Sequence, residues 1–425
     1  MTHDPNEGGS TMPDEMYHPA DPVAAVDPFP KLAELRESCP VTKPVYREYP
    51  PITLFTRYAD AETVLRDYRT FASIGQALSK AQADAVPPEE RTHIQLNPPV
   101  HTDVRRVLLA AVAPPVIRRA LPRLESFGRE IVDVFASRGH ADLVADWAAR
   151  YPAAAIASVL GLPDGDADMI HRLVDTSLDT GIREAEKNLG SVHARGANSI
   201  NEWAKPYLTE QIRLRRTGEI DVDDGITRMI AFRTPSGRAF TDTELILHIR
   251  SLLIAGNETS TSMMSNLIYR VLLAPGLFEE VRADRSMIPS LIEESLRFEP
   301  PIQSVNRACS KEAVVGGEAL HPDEVACLSI SSANRDEAIW GADAETFRPD
   351  RFAEVPDHDH LAFGLGIHYC LGAFLARTSA TIALNALLDA TRDMRLAPDF
   401  EYEKIYYFLL RRPVRLPVEF EPVVA

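Results

Sequence analysis

An isolated cysteine among glycines is the first feature of this sequence that suggests chemistry. Cys370 lies in the stretch FGLGIHYCLG, residues 363–372, which precedes the apolar run AFLARTSATIALNALL. Because that run contains no proline, we predict that Cys370 lies at or just before a helix N-terminus, where free N–H groups and the helix dipole lower the pKa of a thiol. A thiolate binds metal, and the glycines let a planar macrocycle lie against the backbone. The alternative is a cysteine that only packs in an apolar interior.

A second candidate for chemistry lies in the middle of the long apolar segment TDTELILHIRSLLIAGNETSTSMMSNLIYRVLLAP, residues 241–275. Thr241 and Glu244 form a capping-box pattern, and Pro275 cannot continue a helix, so they bound the predicted helix. The segment is apolar on most faces and should run through the interior. Its centre, AGNETST, is unfavourable for a helix. We therefore predict that Glu258 and Thr259 in this centre have a function.

The remaining pattern predicts a mostly helical α+β protein. Apolar residues recur at helical spacing over much of the chain between Arg105 and Ala390, including a predicted helix from Trp147, WAARYPAAAIASVL. Strands are predicted at 52–59 (running into a helix), 313–317, 325–331 and the C-terminal PVRLPVEFEPV. No Gly/Ser linker, long charge block or internal repeat divides the sequence. We expect a single domain over residues 26–425, preceded by a disordered or loosely packed segment, residues 1–25.

Composition excludes several classes of function. The sequence has 45 Lys and Arg against 62 Asp and Glu, a net charge of −17, which argues against nucleic-acid binding and favours solubility. Its four cysteines contain no C-x-x-C pair, so a disulfide framework or a zinc site is not expected. The N-terminus lacks the pattern of a signal peptide, and no apolar run is long enough for a membrane span. We expect a cytoplasmic protein, with a monomer as the default.

Several motifs, in the same order along the chain, resemble those of the cytochrome P450 family. The cysteine loop resembles the haem-binding signature of that family from Phe363 to Gly372. The resemblance extends from about residue 50 to the end, and the motifs together are far more specific than any one of them. The further matches are E-x-x-R at Glu294–Arg297, the oxygen-activating segment AGNETS (255–260), the meander FRPDRF (347–352), HTDVRR (101–106) and ANRD (333–336).

This resemblance implies the fold and the cofactor. The fold would be a triangular, mostly helical domain with a small β-rich lobe, and the activity that of a haem-thiolate monooxygenase using haem b and O2. Cys370 would be the axial iron ligand, with Phe363 packed beside the thiolate. For the arginines, surface solvation is the alternative to a propionate contact. The residues implied to bind the cofactor are His101, Arg105, Arg307, Phe363, His368, Cys370 and Gly372.

The resemblance also assigns the middle of the long helix and the E-x-x-R motif. Glu258 and Thr259 would deliver protons for O2 activation. The alternatives are that the Thr259 hydroxyl bonds back to Ala255 and that Glu258 is a buried ion pair. Glu294, Arg297 and Arg351 would form a buried salt-bridge triad behind the cysteine loop, with a structural role.

The substrate pocket is implied by resemblance alone. It would be lined by the segments 72–95, 167–201, 254–255, 301–305 and 407–408, and we expect a small, largely apolar substrate. Arg183 and Lys187 could attract an acid, or they are solvated helix charges. The single residues expected to contact the substrate are Ile254, Ala255, Gln303, Val305 and Phe408.

Electrons are expected to come from separate proteins, a ferredoxin and its NAD(P)H-dependent reductase, because the sequence ends soon after Cys370 without room for a fused flavin or iron–sulfur domain. A basic surface would help to dock an acidic ferredoxin. The candidates for this surface are Arg106, Arg118, Arg119, Arg123 and Arg377.

Other functions remain open at this point. A peroxygenase would use the same haem with hydrogen peroxide, but it would not need Glu258 and Thr259. A haem-dependent binding or sensor protein would not need them either. A dehydratase or a nitric-oxide-reducing variant is a further alternative.

Overall fold

The computed structural model describes residues 17–21, 23–24, 26–45, 50–75, 77, 79–166, 169–170, 196–354, 359–405 and 409–423, with the side chains of 196–203 left aside. Helices dominate these residues, and the strands are short, which confirms the predicted α+β class. The described helices are Phe29–Ser38, Tyr58–Arg66, Lys80–Asp84, Val100–Ala111, Pro114–Ala136, Arg150–Leu160, Gly196–Arg216, Gly225–Ala231, Asp242–Leu273, Leu277–Ala283, Ile288–Phe298, Ile330–Ala333, Glu337–Trp340, Arg351–Glu354 and Ala373–Ala390.

The helix Asp242–Leu273, which we call the central helix, begins and ends where the sequence predicts. The Thr241 hydroxyl accepts the backbone N–H of Glu244 at 3.3 Å, and the Glu244 carboxylate accepts the backbone N–H of Thr241 at 2.9 Å. This reciprocal capping box satisfies two N–H groups that the first helical turn leaves unpaired.

The described strands form three small sheets. The largest has the order β1-β2-β8-β5-β3, in which only β2 and β8 are parallel; the others are β4-β10-β9 and the hairpin β6-β7. The strands are β1 Val41–Thr42, β2 Thr53–Phe55, β3 Phe71–Ser73, β4 His140–Asp142, β5 Ser304–Cys309, β6 Ala313–Val315, β7 Glu318–Leu320, β8 Val325–Ser329, β9 Thr391–Leu396 and β10 Pro417–Pro422.

Two apolar cores organise the molecule around the site. The larger surrounds the central helix and includes the fully buried Trp147 and Tyr151. The second lies between the five-stranded sheet and the helix Tyr58–Arg66, and it includes Leu361 and Leu365 from the segment that leads to Cys370. The segment that leads to Cys370 therefore has residues in the core of the sheet lobe.

Several predicted elements have different bounds, including the strands predicted at 52–59, 313–317 and 325–331. The strand expected over 325–331 ends at Ser329, because the N–H groups of Ile330 and Ser331 both donate to the carbonyl of Gln303 and turn the chain into a short helix. The helix expected from Trp147 begins at Arg150, after a π-helical turn at Val144–Ala148.

The N-terminal segment predicted to be disordered or loosely packed lies partly outside the described residues. Of those described before residue 26, Tyr17, His18 and Ala20 are buried, and Tyr17 packs in an apolar cluster with Leu32 and Leu54. The division at residue 25 stays a prediction. None of the described helices combines the length and the hydrophobicity that crossing a membrane requires.

Candidate functional site

The cysteine loop, residues 363–372, connects the two cores. Leu365 lies in the core of the sheet lobe, whereas Phe363 packs against the core around the central helix. The backbone N–H of Cys370 donates to the carbonyl of Phe363 at 2.9 Å, which closes the loop.

Cys370 lies just before the N-terminus of the helix Ala373–Ala390, as predicted, but its thiol does not have the expected low pKa. Burial raises the pKa of Cys370, and it outweighs the N–H groups of Gly372 and Ala373 and the charges of Arg105 and Arg377, which lower it. The prediction was wrong because it considered the helix end and left out desolvation of the thiolate. A metal ion deprotonates a coordinating thiol outright, so a bound metal changes this balance.

Gly366 holds the loop against the sheet lobe, and Gly366→Ala is expected to destabilise the protein. Its φ of +69° favours glycine, and a Cβ there would lie 2.7 Å from the backbone oxygen of Leu65. Strain of this kind costs about 1–3 kcal/mol. Thermal unfolding should therefore occur at a lower temperature in this variant than in Gly165→Ala, where a Cβ meets no atom within 4 Å. Equal melting temperatures for the two variants would contradict this account of the loop.

Five basic side chains gather next to Cys370, and we call them the basic cluster. The ring centroids of His101 and His368 are 4.3 Å apart. Nη2 of Arg105 donates to the carbonyl of Tyr369 at 2.6 Å, beside Cys370. The members of the basic cluster are His93, His101, Arg105, Arg307 and His368.

The electrostatics of the basic cluster are unfavourable for positive charge. Burial, together with Arg307 and the other cluster members, lowers the pKa of His368 to about 2. Burial lowers the pKa of His101 to about 4 and that of Arg307 to about 10. Within the described part of the chain, no member of the cluster pairs with a carboxylate, and buried nitrogens of His101, Arg105 and His368 lack a hydrogen-bond partner.

The unpaired nitrogens fit a ligand that carries two acid groups. Cations that share a low-dielectric site without a counterion raise one another's energy, and carboxylates would supply charge-assisted hydrogen bonds. Haem has two propionates, and its iron accepts a thiolate. The donor set of the basic cluster and Cys370 therefore fits haem.

Asn97 connects the sheet that contains Arg307 to the helix that carries His101 and Arg105, and the sequence analysis missed this residue. Its side-chain oxygen accepts the N–H of Ser73 at 2.9 Å, and its Nδ2 donates to the Ser73 carbonyl at 3.1 Å. Ser73 is the register partner of Arg307 in the five-stranded sheet. The backbone carbonyl of Asn97 accepts the N–H of His101 at 3.1 Å. Asn97 thus links β3, the strand beside the one that carries Arg307, to the helix that carries His101 and Arg105.

The middle of the central helix has an accessible side. Ala255 is exposed and Ile254 and Thr259 are half-buried, although Asn257 and Thr261 on the other faces are fully buried. Such exposure in the centre of an interior helix indicates that this side faces open space.

Both alternatives considered for Glu258 and Thr259 are present in the structure. The Thr259 hydroxyl donates to the carbonyl of Ala255 at 2.7 Å. The buried carboxylate of Glu258 lies 3.7 Å from a guanidinium nitrogen of Arg412. Neither contact uses the acceptor capacity of the Thr259 oxygen. Arg412 was missed because nothing in the local sequence indicates that it reaches the central helix.

The three residues of the predicted triad lie together and are buried. Nε of Arg297 lies 2.7 Å and Nε of Arg351 3.3 Å from the carboxylate of Glu294. Glu294 also accepts the backbone N–H of Arg348 at 2.8 Å. The carbonyls of Asn334, Ala344 and Thr346 accept the remaining N–H groups of Arg297.

Asn334 connects the triad to the cysteine loop. Its carbonyl accepts from Arg297 at 2.8 Å, and its side-chain oxygen accepts the N–H of Leu361 at 2.7 Å. A second connection runs through Glu293. Burial raises the pKa of Glu293, but hydrogen bonds from Arg377 and His360 outweigh it and lower the pKa to about 2.

The residues expected to contact substrate differ in exposure, and some lie outside the described residues. Ile254 and Ala255 lie on the accessible side of the central helix, and Val305 is half-buried in β5. Gln303 is buried, and its Nε2 donates to the carbonyl of Pro300 at 2.6 Å. Phe408, Arg183, Lys187 and most of segment 167–201 lie outside the described residues.

The arginines considered for a partner surface are not equally available. Arg106 and Arg118 are exposed. Arg106 has a long ion pair with Asp103, at 3.9 Å. Three more pair with carboxylates at shorter range: Arg119 with Asp223 at 2.8 Å, Arg123 with Glu130 at 2.6 Å and Arg377 with Glu293 at 2.6 Å.

Comparison with known proteins places this site in context. The model of the family described as "Cytochrome P450" matches residues 185–392. The putative cytochrome P450 YjiB of Bacillus subtilis is 30% identical over 372 residues, which is 86% of this chain and 88% of the relative. The mycinamicin IV hydroxylase/epoxidase of Micromonospora griseorubida is 30% identical over 399 residues, which is 91% of this chain and 94% of that enzyme.

Solved structures of cytochrome P450 enzymes have a similar fold. The crystal structure of CYP109B1 from Bacillus subtilis, described as a versatile cytochrome P450 enzyme, superimposes with a TM-score of 0.79 at 28% identity and covers 93% of this chain and 100% of that one. The prediction of this fold from the sequence motifs is confirmed.

Proposed function

Because this chain belongs to the cytochrome P450 family, we propose that it is a haem-thiolate monooxygenase acting on a small, largely apolar organic substrate. The reaction inserts one oxygen atom of O2 by hydroxylation, epoxidation or O-dealkylation, and it releases the other as water, with two electrons and two protons consumed. The observation that carries this proposal is the basic cluster, whose unpaired nitrogens lie next to Cys370.

The proposed cofactor contacts follow from these positions. Cys370 would ligate the iron, with Phe363 packed beside it and Gly372 at the N-cap of the helix Ala373–Ala390. When bound, haem would supply the iron at which O2 is activated, and a thiolate ligand would favour O–O cleavage. His101, Arg105, Arg307 and His368 donate hydrogen bonds to the two propionates.

Glu258 and Thr259 are proposed to deliver the protons that O2 activation requires. The Thr259 hydroxyl donates to Ala255, so its oxygen can accept a hydrogen bond from a water molecule in the open space beside it. Glu258 can exchange protons through such water, and its carboxylate lies 3.7 Å from a guanidinium nitrogen of Arg412.

Replacing Thr259 by alanine is expected to uncouple the reaction while the cofactor stays bound. Loss of the hydroxyl removes an ordered acceptor near the acid, so reduced oxygen should escape as hydrogen peroxide. Product formed per NAD(P)H should fall by about tenfold or more, within the range of lost general acid catalysis. The measurement is product and peroxide per NAD(P)H, with the exposed Thr243→Ala on the same helix as the control. Full coupling in Thr259→Ala would exclude this role.

We propose that the electrons reach the iron from a ferredoxin and its NAD(P)H-dependent reductase. The exposed Arg118, and Arg106 with only a long ion pair to Asp103, support a docking surface for an acidic protein. Arg119, Arg123 and Arg377 are held in shorter ion pairs and have less charge to offer. Turnover driven better by hydrogen peroxide than by such a redox chain would favour a peroxygenase instead.

The absorption spectrum of the reduced protein with carbon monoxide tests the proposal as a whole. A strongly red-shifted Soret band indicates an anionic sulfur opposite the carbon monoxide. Protein without haem absorbance after haem-supplemented expression, or with a band at the position of a neutral ligand, would contradict the haem-thiolate assignment.

A further inference from the structure

Arg250 is a cation without a partner on the side of the central helix that carries the proposed active-site residues. Residues four and eight positions apart share one stripe of a helix, so Arg250 lies in line with Ile254 and Glu258. The side chain is half-buried, and in the part of the chain that the structure describes it forms neither a hydrogen bond nor an ion pair.

This absence distinguishes Arg250 from the arginines that stabilise the fold. Arg215 pairs with Asp224 at 2.8 Å, Arg297 with Glu294 at 2.7 Å and Arg270, on the same helix, with Glu299 at 2.5 Å. A charge withdrawn from water is costly unless it is paired. Arg307 likewise has no carboxylate partner among the described residues, although its Nη1 donates to the carbonyl of Asn306 at 2.9 Å, and for Arg307 the proposed partner is a ligand.

One carboxylate acts on the charge of Arg250 without pairing with it. Burial lowers the pKa of Arg250, and the acid that opposes this effect is Glu90, which is exposed and not in ion-pair contact. Glu90 belongs to the predicted substrate loop. His93 of the same loop interacts with His248, which precedes Arg250 by two residues on the central helix. Nδ1 of both histidines is buried without a hydrogen-bond partner among the described residues.

We propose that Arg250 binds the carboxylate of the substrate, so that the enzyme oxidises organic acids. This inference rests on the proposed monooxygenase function and narrows its substrate class. A guanidinium fork matches a carboxylate, whereas an ammonium group or an alkyl end would leave the charge of Arg250 unpaired. Arg250 and Glu258 are eight residues apart, about 12 Å along the helix axis. The substrate therefore places the carbon that is oxidised on the order of 10 Å from its carboxylate, a span estimated from that rise.

Binding of acids and of their neutral amides to the haem-loaded enzyme tests this inference. The probes are decanoic acid with decanamide, and 4-butylbenzoic acid with 4-butylbenzamide. Dissociation constants are measured by calorimetry and by the shift of the Soret band. We expect each acid to bind more tightly than its amide to the wild type. Because a charge-assisted hydrogen bond is lost, Arg250→Gln should weaken the acids by about ten- to a hundredfold and leave the amides unchanged.

Two further variants separate recognition from folding. Arg250→Lys keeps the charge without the fork and should recover part of the affinity for acids. Arg233→Gln removes the same charge from an exposed position near the start of the central helix and should bind acids like the wild type. Melting temperatures of all variants show whether the fold is intact.

The outcomes also distinguish this inference from the function beneath it. If no acid binds more tightly than its amide, or if Arg250→Gln binds acids as tightly as the wild type, the inference is overturned even when the reduced protein with carbon monoxide has the thiolate spectrum. If that spectrum is missing from the wild type, the proposed function fails, and the calorimetric comparison of acid with amide still decides whether Arg250 binds carboxylates.

Discussion

Cys370→Ser should give a protein without the thiolate spectrum and without monooxygenase turnover. Serine is nearly isosteric with cysteine, and the hydrogen bond from the backbone N–H at position 370 to Phe363 does not depend on the side chain. The fold should therefore persist, while the neutral alcohol donates far less electron density to iron than a thiolate does. We expect product formation to fall by more than about a hundredfold, equivalent to about 2.7 kcal/mol in the activation barrier.

The measurements are the reduced spectrum with carbon monoxide, the ratio of haem to protein and the rate of product formation. Cys39→Ser is the matched control, because Cys39 is exposed and makes no contact with the site. A Cys370→Ser protein that keeps the red-shifted band would show that another group ligates the iron, and Cys370 would then be a packing residue.

Glu294→Gln should be the most destabilising charge-neutralising substitution considered in this protein. It leaves the guanidinium groups of Arg297 and Arg351, both nearly inaccessible to solvent, without their shared carboxylate. Breaking a buried ion pair by removing one partner costs about 3–5 kcal/mol. Because Asn334 links Arg297 to the segment before the cysteine loop, we expect a lower haem content in addition to a lower free energy of unfolding.

Urea denaturation and the haem-to-protein ratio measure these two effects. Glu280→Gln removes a carboxylate that is exposed, and it should change the free energy of unfolding by less than about 0.5 kcal/mol. Equal denaturation midpoints for Glu294→Gln and Glu280→Gln would show that the triad contributes little to stability.

Local signals in the sequence predicted local structure well. The capping box at Thr241 and Glu244 and the proline at 275 bounded the central helix, because these features act within one helical turn. The position of Cys370 before a helix was predicted for the same reason. The triad was predicted from motifs, since Glu294 and Arg297 are neighbours on one helix face but Arg351 is distant in sequence.

Contacts between distant segments were not predictable in this way. Arg412 reaches Glu258 from near the C-terminus, and Asn97 joins a strand to a helix. Neither residue belongs to a periodic pattern, so only the folded chain reveals its role. Arg250 was passed over for the opposite reason: an arginine in a helix is usually paired or solvated, and the missing partner is visible only in three dimensions. The pKa of Cys370 was misjudged because burial, which raises it, has no local signal.

The link through Asn97 has a consequence for which ligands the protein accepts. Asn97 binds Ser73, the register partner of Arg307, through its side chain and His101 through its carbonyl, so the distance between Arg307 and His101 is set by the fold. A rigid pair of anchors discriminates between ligands by the separation of their acid groups. The proposed site should therefore bind porphyrins whose two carboxylates are spaced as in haem more tightly than isomers that carry them elsewhere on the ring.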